Sequence, residues 1–176
     1  MKNTVIKFGI ISGLIITVLM FATLPFVNKI GFDNGVYIGY TTMLLSFLMV
    51  FFGIRSYREK VNGGTITFLK AFKVGGLIAL ITCAFYVVSW LIIYYQIMPD
   101  FPDKYAAYAI EHAKQLNKSQ AEIDQITKEM QQYKEMVKNP LIHAAITFTE
   151  PAPVALVVAL LSALILKKKK AESVKV

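Results

Sequence analysis

Apolar residues along this chain gather into four long runs, and the charged residues fall almost entirely between them. The first run, 5–27, holds Lys7 near its start and then about 20 uncharged residues before Lys29. A helix of that length spans a hydrocarbon core of roughly 30 Å. Lys2 and Lys7 also resemble the positive start of a secretory signal. The apolar stretch is longer than such a signal needs, however, and Leu24-Pro25-Phe26-Val27-Asn28 offers no small-residue cleavage site, so an uncleaved helix is expected. A short turn over Asn28 to Asn34 leads into the second run, 35–54, which carries no charge and stops at Arg55. Two helices so closely joined are expected to be antiparallel neighbours. The third run, 74–98, is also uncharged and ends before Pro99. Trp90, Tyr94 and Tyr95 cluster toward its far end, where aromatic rings with polar tips mark a membrane–water boundary. The fourth run, 141–166, is interrupted by Thr149-Glu150-Pro151-Ala152-Pro153 and halted by Lys167 to Lys170.

Two polar segments separate the later runs. The loop 55–73 holds Arg55, Arg58, Lys60, Lys70 and Lys73 against the single acid Glu59. Asn62-Gly63-Gly64 marks a sharp turn in it, and Thr65 or Thr67 is placed to cap the helix that follows. Segment 100–140 contains seven acids, six lysines and His112. Its pattern predicts a helical hairpin. One helix runs from about Pro102 to Leu116, and Asn117-Lys118 breaks it. Ser119-Gln120-Ala121-Glu122 reads as a capping box for the second. There Ile123, Ile126, Met130, Tyr133 and Val137 form a narrow apolar stripe, and Asn139-Pro140 ends it.

Charge refines this picture. Charged residues make up only 17% of the chain, against about 25% in soluble domains. The net charge of +8 does not point to nucleic acid, because the basic residues flank apolar runs. Arg55, Arg58, Lys70 and Lys73 are candidates to contact anionic lipid headgroups, and the Asn62-Gly63-Gly64 turn is either a plain turn or an anion nest beside them. Twelve basic residues fall on the side of the termini and the 55–73 loop, against seven on the other. The positive-inside rule then puts both termini in the cytoplasm and the hairpin outside. Cys83, the single cysteine, has no partner for an intramolecular disulfide.

Few residues suggest chemistry. Glu150 is the only acid within the apolar runs. An ionisable group at membrane depth marks a transport, proton or ligand site, but an acid just before proline also suits a helix start near the interface. His143 precedes Glu150 by seven residues, so an unbroken helix places both on one face. A His/carboxylate metal site lacks any supporting spacing, and no nucleophile–base pair or cofactor motif is present. Gly9-x-x-x-Gly13, Gly35-x-x-x-Gly39 and the step Gly75, Ala79, Cys83 put small residues where helices approach closely, within one bundle or between copies.

The stretches Gly53-Ile54-Arg55-Ser56-Tyr57-Arg58, Asn62-Gly63-Gly64-Thr65-Ile66-Thr67-Phe68 and Lys70-Ala71-Phe72-Lys73-Val74-Gly75 resemble domain-of-unknown-function family 4199, membrane proteins common in Bacteroidetes-type bacteria. The resemblance implies an inner-membrane location and brings no catalytic residues with it. The expectation is an all-α membrane protein in one domain: four transmembrane helices, with an extramembrane helical hairpin between the third and fourth. The leading functional expectation is a non-enzymatic accessory or scaffold protein without cofactor or metal, using the hairpin as its interaction surface. Its expected partners are the bilayer and a membrane protein or a second copy. The alternative is a small oligomeric transporter or channel-like protein using Glu150.

Overall fold

The computed structural model describes residues 1–168; Lys169, Lys170 and Lys175 of the basic tail lie outside the described residues. The chain forms α1 (Lys2–Thr23), a 3-10 turn (Leu24–Phe26), α2 (Val27–Lys60) and α3 (Phe68–Ile92), which a wide π turn (Ile93–Ile97) prolongs. Next come α4 (Phe101–Gln115), α5 (Gln120–Met136), α6 (Pro140–Phe148) and α7 (Pro151–Leu166). Four stretches are long and apolar enough to cross a membrane: Lys2–Phe26, Lys29–Lys60, Phe68–Ile97 and Pro140–Leu166.

The joints differ from the sequence reading in instructive ways. The turn expected over 28–34 narrows to the 3-10 turn and a single break in α2 at Gly31, whose φ of 70° and ψ of 171° are open essentially to glycine alone. At its other end α2 does not stop at Arg55. It runs on to Lys60, because Arg58 and Lys60 suit a last turn whose carbonyls carry partial negative charge. Gly63 and Gly64, with φ of 64° and 78°, make the reversal, and the Thr67 hydroxyl rather than Thr65 caps α3. The capping box of α5 forms as expected, with Ser119 and Glu122 bonded reciprocally. The Ser119 hydroxyl and backbone N–H hold the Glu122 carboxyl below its ordinary pKa. Asn117, in the left-handed region at φ 53°, separates α4 from α5.

Helix α3 is the axis of the bundle and packs against α1, α2, α6 and α7. Specific pairs set the directions. Ser12 of α1 donates to the Ser46 carbonyl of α2 at 2.7 Å, while Phe8 lies near Gly53, so these helices are antiparallel. Gly9 sits against Ile81, Gly13 against Phe85, and Thr17 bonds Ser89 at 2.9 Å, so α1 runs parallel to α3. Gly75 receives Ile54 and Val50 of α2. Glycine at these contacts lets the backbones approach closely, which is how helices associate where lipid is as apolar as leucine.

Apolar side chains cover the outside of the bundle as well as filling its core, and some polar ones are enclosed with them. Ser12, Ser46, Thr82, Ser89, His143, Thr147 and Ser162 are buried, while Leu14, Val18, Leu48, Leu80, Val157 and Ile165 are exposed around the outside. Contiguous apolar surface on this scale is unstable in water and suited to lipid. At one end Arg58 ties the bundle shut, donating to the Leu166 carbonyl of α7 at 3.0 Å. Ile66 and Lys168 exchange two backbone hydrogen bonds of 2.9 Å beside it.

Candidate functional site

The opposite end of the bundle is built around the interruption in the fourth run. Asn139 caps α6 through its side-chain oxygen, bonded to the Leu141 N–H at 2.9 Å. Pro151 has no N–H with which to continue the α6 ladder, but it suits the first position of a new helix. The chain therefore breaks at Thr149-Glu150, leaving Glu150 at the junction. Tyr86 of α3 donates its hydroxyl to Glu150 Oε2 at 2.6 Å.

This contact also sets the level of Glu150 in the bundle. Tyr86 lies 11 residues before Ile97, the end of its apolar stretch, or roughly 16 Å of helix. Counting from Lys167 alone places Glu150 near the interface. The structure adds α6 beyond it, packed on α3, so the carboxylate lies well inside the bundle's length.

Beside Glu150 opens a cavity of about 720 Å³. Its floor is Tyr86 and Trp90 of α3 with Ile93 of the π turn; one wall is Met20 and Thr23 of α1 with Gly35, Gly39 and Thr42 of α2. Phe101, Lys104 and Tyr105 of α4 and Met130 and Tyr133 of α5 form the roof. The volume is in the range of sites for small organic ligands, about 300–1,000 Å³. The second glycine pair is explained by this space. A Cβ at Gly35 or Gly39 meets nothing within 4 Å, so these glycines open the cavity rather than seat a neighbouring helix.

The roof is anchored by aromatic contacts. Phe32 of α2 packs on Phe101, Tyr105 and Tyr108 with ring centroids 5.8, 5.6 and 4.9 Å away. Trp90 meets Phe101 edge-on at 5.1 Å. Tyr108 donates to Asp33, which raises the Tyr108 pKa, and Lys134 of α5 pairs with Asp103 of α4. Lys104 pairs with Asp100 at 2.6 Å. Burial, then the neighbouring Tyr105 and Glu150, push the Tyr133 hydroxyl up.

The other sequence candidates stand apart from this site. His143 turns toward α3 as Glu150 does, but it meets Tyr94 where Glu150 meets Tyr86. His143 is fully buried between Tyr94 and Tyr95, with ring centroids 4.3 and 5.5 Å away. Tyr95 spends its proton on the Val137 carbonyl, so its oxygen accepts from His143 Nδ1 at 3.2 Å. The proton is then on Nδ1, and the lone pair of the buried Nε2 has no partner among the described residues. Of the headgroup candidates, Arg58 serves the Leu166 carbonyl and Glu59, and Lys70 donates to Asn62 Oδ1 at 2.7 Å. Arg55 and Lys73 are exposed. Sequence reasoning missed Tyr86 and the cavity. The hint was a tyrosine midway along an uncharged run, where a hydroxyl needs a partner.

Such a chain, apolar around the outside as well as in the core, with four helices fit to cross a bilayer, is a multi-pass α-helical membrane protein. It belongs to the family described as protein of unknown function DUF4199, whose model matches residues 7–168, nearly the whole chain. No curated protein and no solved structure matches it.

Proposed function

We propose that this is a non-enzymatic membrane protein that takes up a small ligand in the chamber beneath α4 and α5, nearer the transport class than the scaffold class. The observation that carries this reading is Glu150, a carboxylate held by Tyr86 at the edge of a chamber of about 720 Å³ that is otherwise mostly apolar and aromatic. Glu150 is exposed beside the chamber rather than packed into the core, and an ionisable residue on a stretch fit to cross a membrane marks a functional site by default. The stripe residues Met130 and Tyr133 face the chamber, which favours a roof over a free partner surface. Gly39→Phe fills the chamber without meeting a neighbour at its Cβ. Native mass spectrometry of the protein from its own membranes is expected to show a bound small molecule that this variant loses. A protein without bound mass, or with the same mass in the variant, overturns the reading.

In the same proposal α4 and α5 lie outside the bilayer of a bacterial inner membrane, with both termini and the Arg55–Lys73 loop in the cytoplasm. The basic asymmetry supports this orientation, and a reporter fused after Lys170 is expected to read as cytoplasmic. A periplasmic readout rejects it. A second reading, a scaffold that docks a membrane partner, draws on Leu116 and Met136, which are exposed at the C-terminal ends of α4 and α5.

A further inference from the structure

The chamber's charge and lining narrow the ligand it suits, and this step rests on the binding role just proposed. Two ionisable side chains of full charge line it, Glu150 and Lys104. Lys104 already has an anion, Asp100 at 2.6 Å. Glu150 has no basic partner among the described residues; its contact is the Tyr86 hydroxyl, which donates a hydrogen bond and brings no positive charge. With the Lys104–Asp100 pair neutral, the lining keeps one uncompensated negative charge.

The groups around that charge are of the kind that receive cations. Tyr86, Trp90, Phe101, Tyr105 and Tyr133 present aromatic rings to the same space. Ring faces attract ammonium groups, tryptophan most strongly, and the attraction grows where water is excluded. Away from Glu150 the walls are aliphatic, with Met20, Val27, Ile30 and Val36 from α1 and α2. We infer that the chamber binds an amphipathic organic cation, its ammonium on Glu150 and the aromatic rings and its apolar body along α1 and α2.

The chain carries its own reporter, since Trp90 is its only tryptophan and lines the chamber. The full chain is purified in dodecyl maltoside, which has no amine, and Trp90 fluorescence is titrated with decyltrimethylammonium and, separately, with decyl sulfate. The cation is expected to give a saturable change and the anion none. Glu150→Gln should weaken cation binding about tenfold or more, the scale of a lost charge-assisted contact. Glu150→Asp, which keeps a carboxylate, should bind the cation at least about threefold more tightly than Glu150→Gln, which separates lost charge from lost fold. Added phosphatidylethanolamine competes if the natural cation is a lipid amine and leaves the titration unchanged if it is a free amphipath.

Equal binding of anion and cation overturns the inference, as does undiminished cation binding by Glu150→Gln or a loss in Glu150→Asp as large as in Glu150→Gln. A protein that carries a bound mass sensitive to Gly39→Phe yet shows no cation preference removes this inference alone and leaves the chamber's binding role standing.

Discussion

Gly13→Leu is expected to destabilise the bundle by about 3 kcal/mol, at the upper end of what overpacking costs. A Cβ built at Gly13 already overlaps the Phe85 ring, and the next contact along the same seam, Gly9 against Ile81, would put a Cβ 2.7 Å from the Ile81 side chain. Leucine adds three more carbon atoms at that point. Phe85 has to leave its place, or α1 has to lift from α3. Lifting α1 also breaks the Thr17–Ser89 hydrogen bond one turn further on. Equilibrium unfolding in mixed detergent micelles, followed by circular dichroism, measures the loss. The control is Gly35→Leu, which meets nothing within 4 Å and also raises helix propensity. It should be as stable as the parent or up to about 1 kcal/mol more stable. Equal losses for the two variants contradict the division of the glycine pairs into a packing pair and a cavity pair.

That division shows where the sequence is readable. Runs of uncharged residues disclose the four long helices because hydrocarbon thickness sets their length whatever their neighbours. Local signals disclose the ends that depend on the chain itself: the Ser119–Glu122 box and the interruption before Pro151 fall where their chemistry requires, while Asn139-Pro140, read as a stop, also caps the start of α6. A Gly-x-x-x-Gly motif says only that a helix face is bare. Whether Phe85 or empty space lies opposite depends on how α2 and α3 are rotated, which no local pattern records. The carboxylate at position 150 is legible as unusual for the same reason that a charge is costly in lipid. Its partner Tyr86 is not, since it lies 64 residues away on another helix. Glu150 and His143 both turn toward α3 but at different levels along it: Glu150 meets Tyr86, and His143 is enclosed by Tyr94 and Tyr95, eight residues further on.

Phe47→Ala should cost a similar amount for the opposite reason. Phe47 is 0% exposed and is the largest fully buried side chain. Its α2 neighbours Met43, Val50 and Ile54 are equally enclosed, so little can collapse into the space it leaves. In soluble proteins such truncations cost about 3–5 kcal/mol, part of it transfer from water and part of it the cavity. In a bilayer the separated helices already lie in hydrocarbon, so the transfer part shrinks while the lost dispersion contacts remain. The expected loss is therefore near the bottom of that range, about 3 kcal/mol. Leu48, the next residue, is 50% exposed on the outer face of the same helix. In the same unfolding experiment Leu48→Ala is expected to change stability by no more than about 0.5 kcal/mol, because lipid fills the space a lipid-facing side chain gives up. If α2 instead turned its Leu48 face to the bundle, the order of the two variants would reverse. This adjacent pair thus tests the rotation of α2, the same rotation that points Gly39 and Thr42 into the chamber.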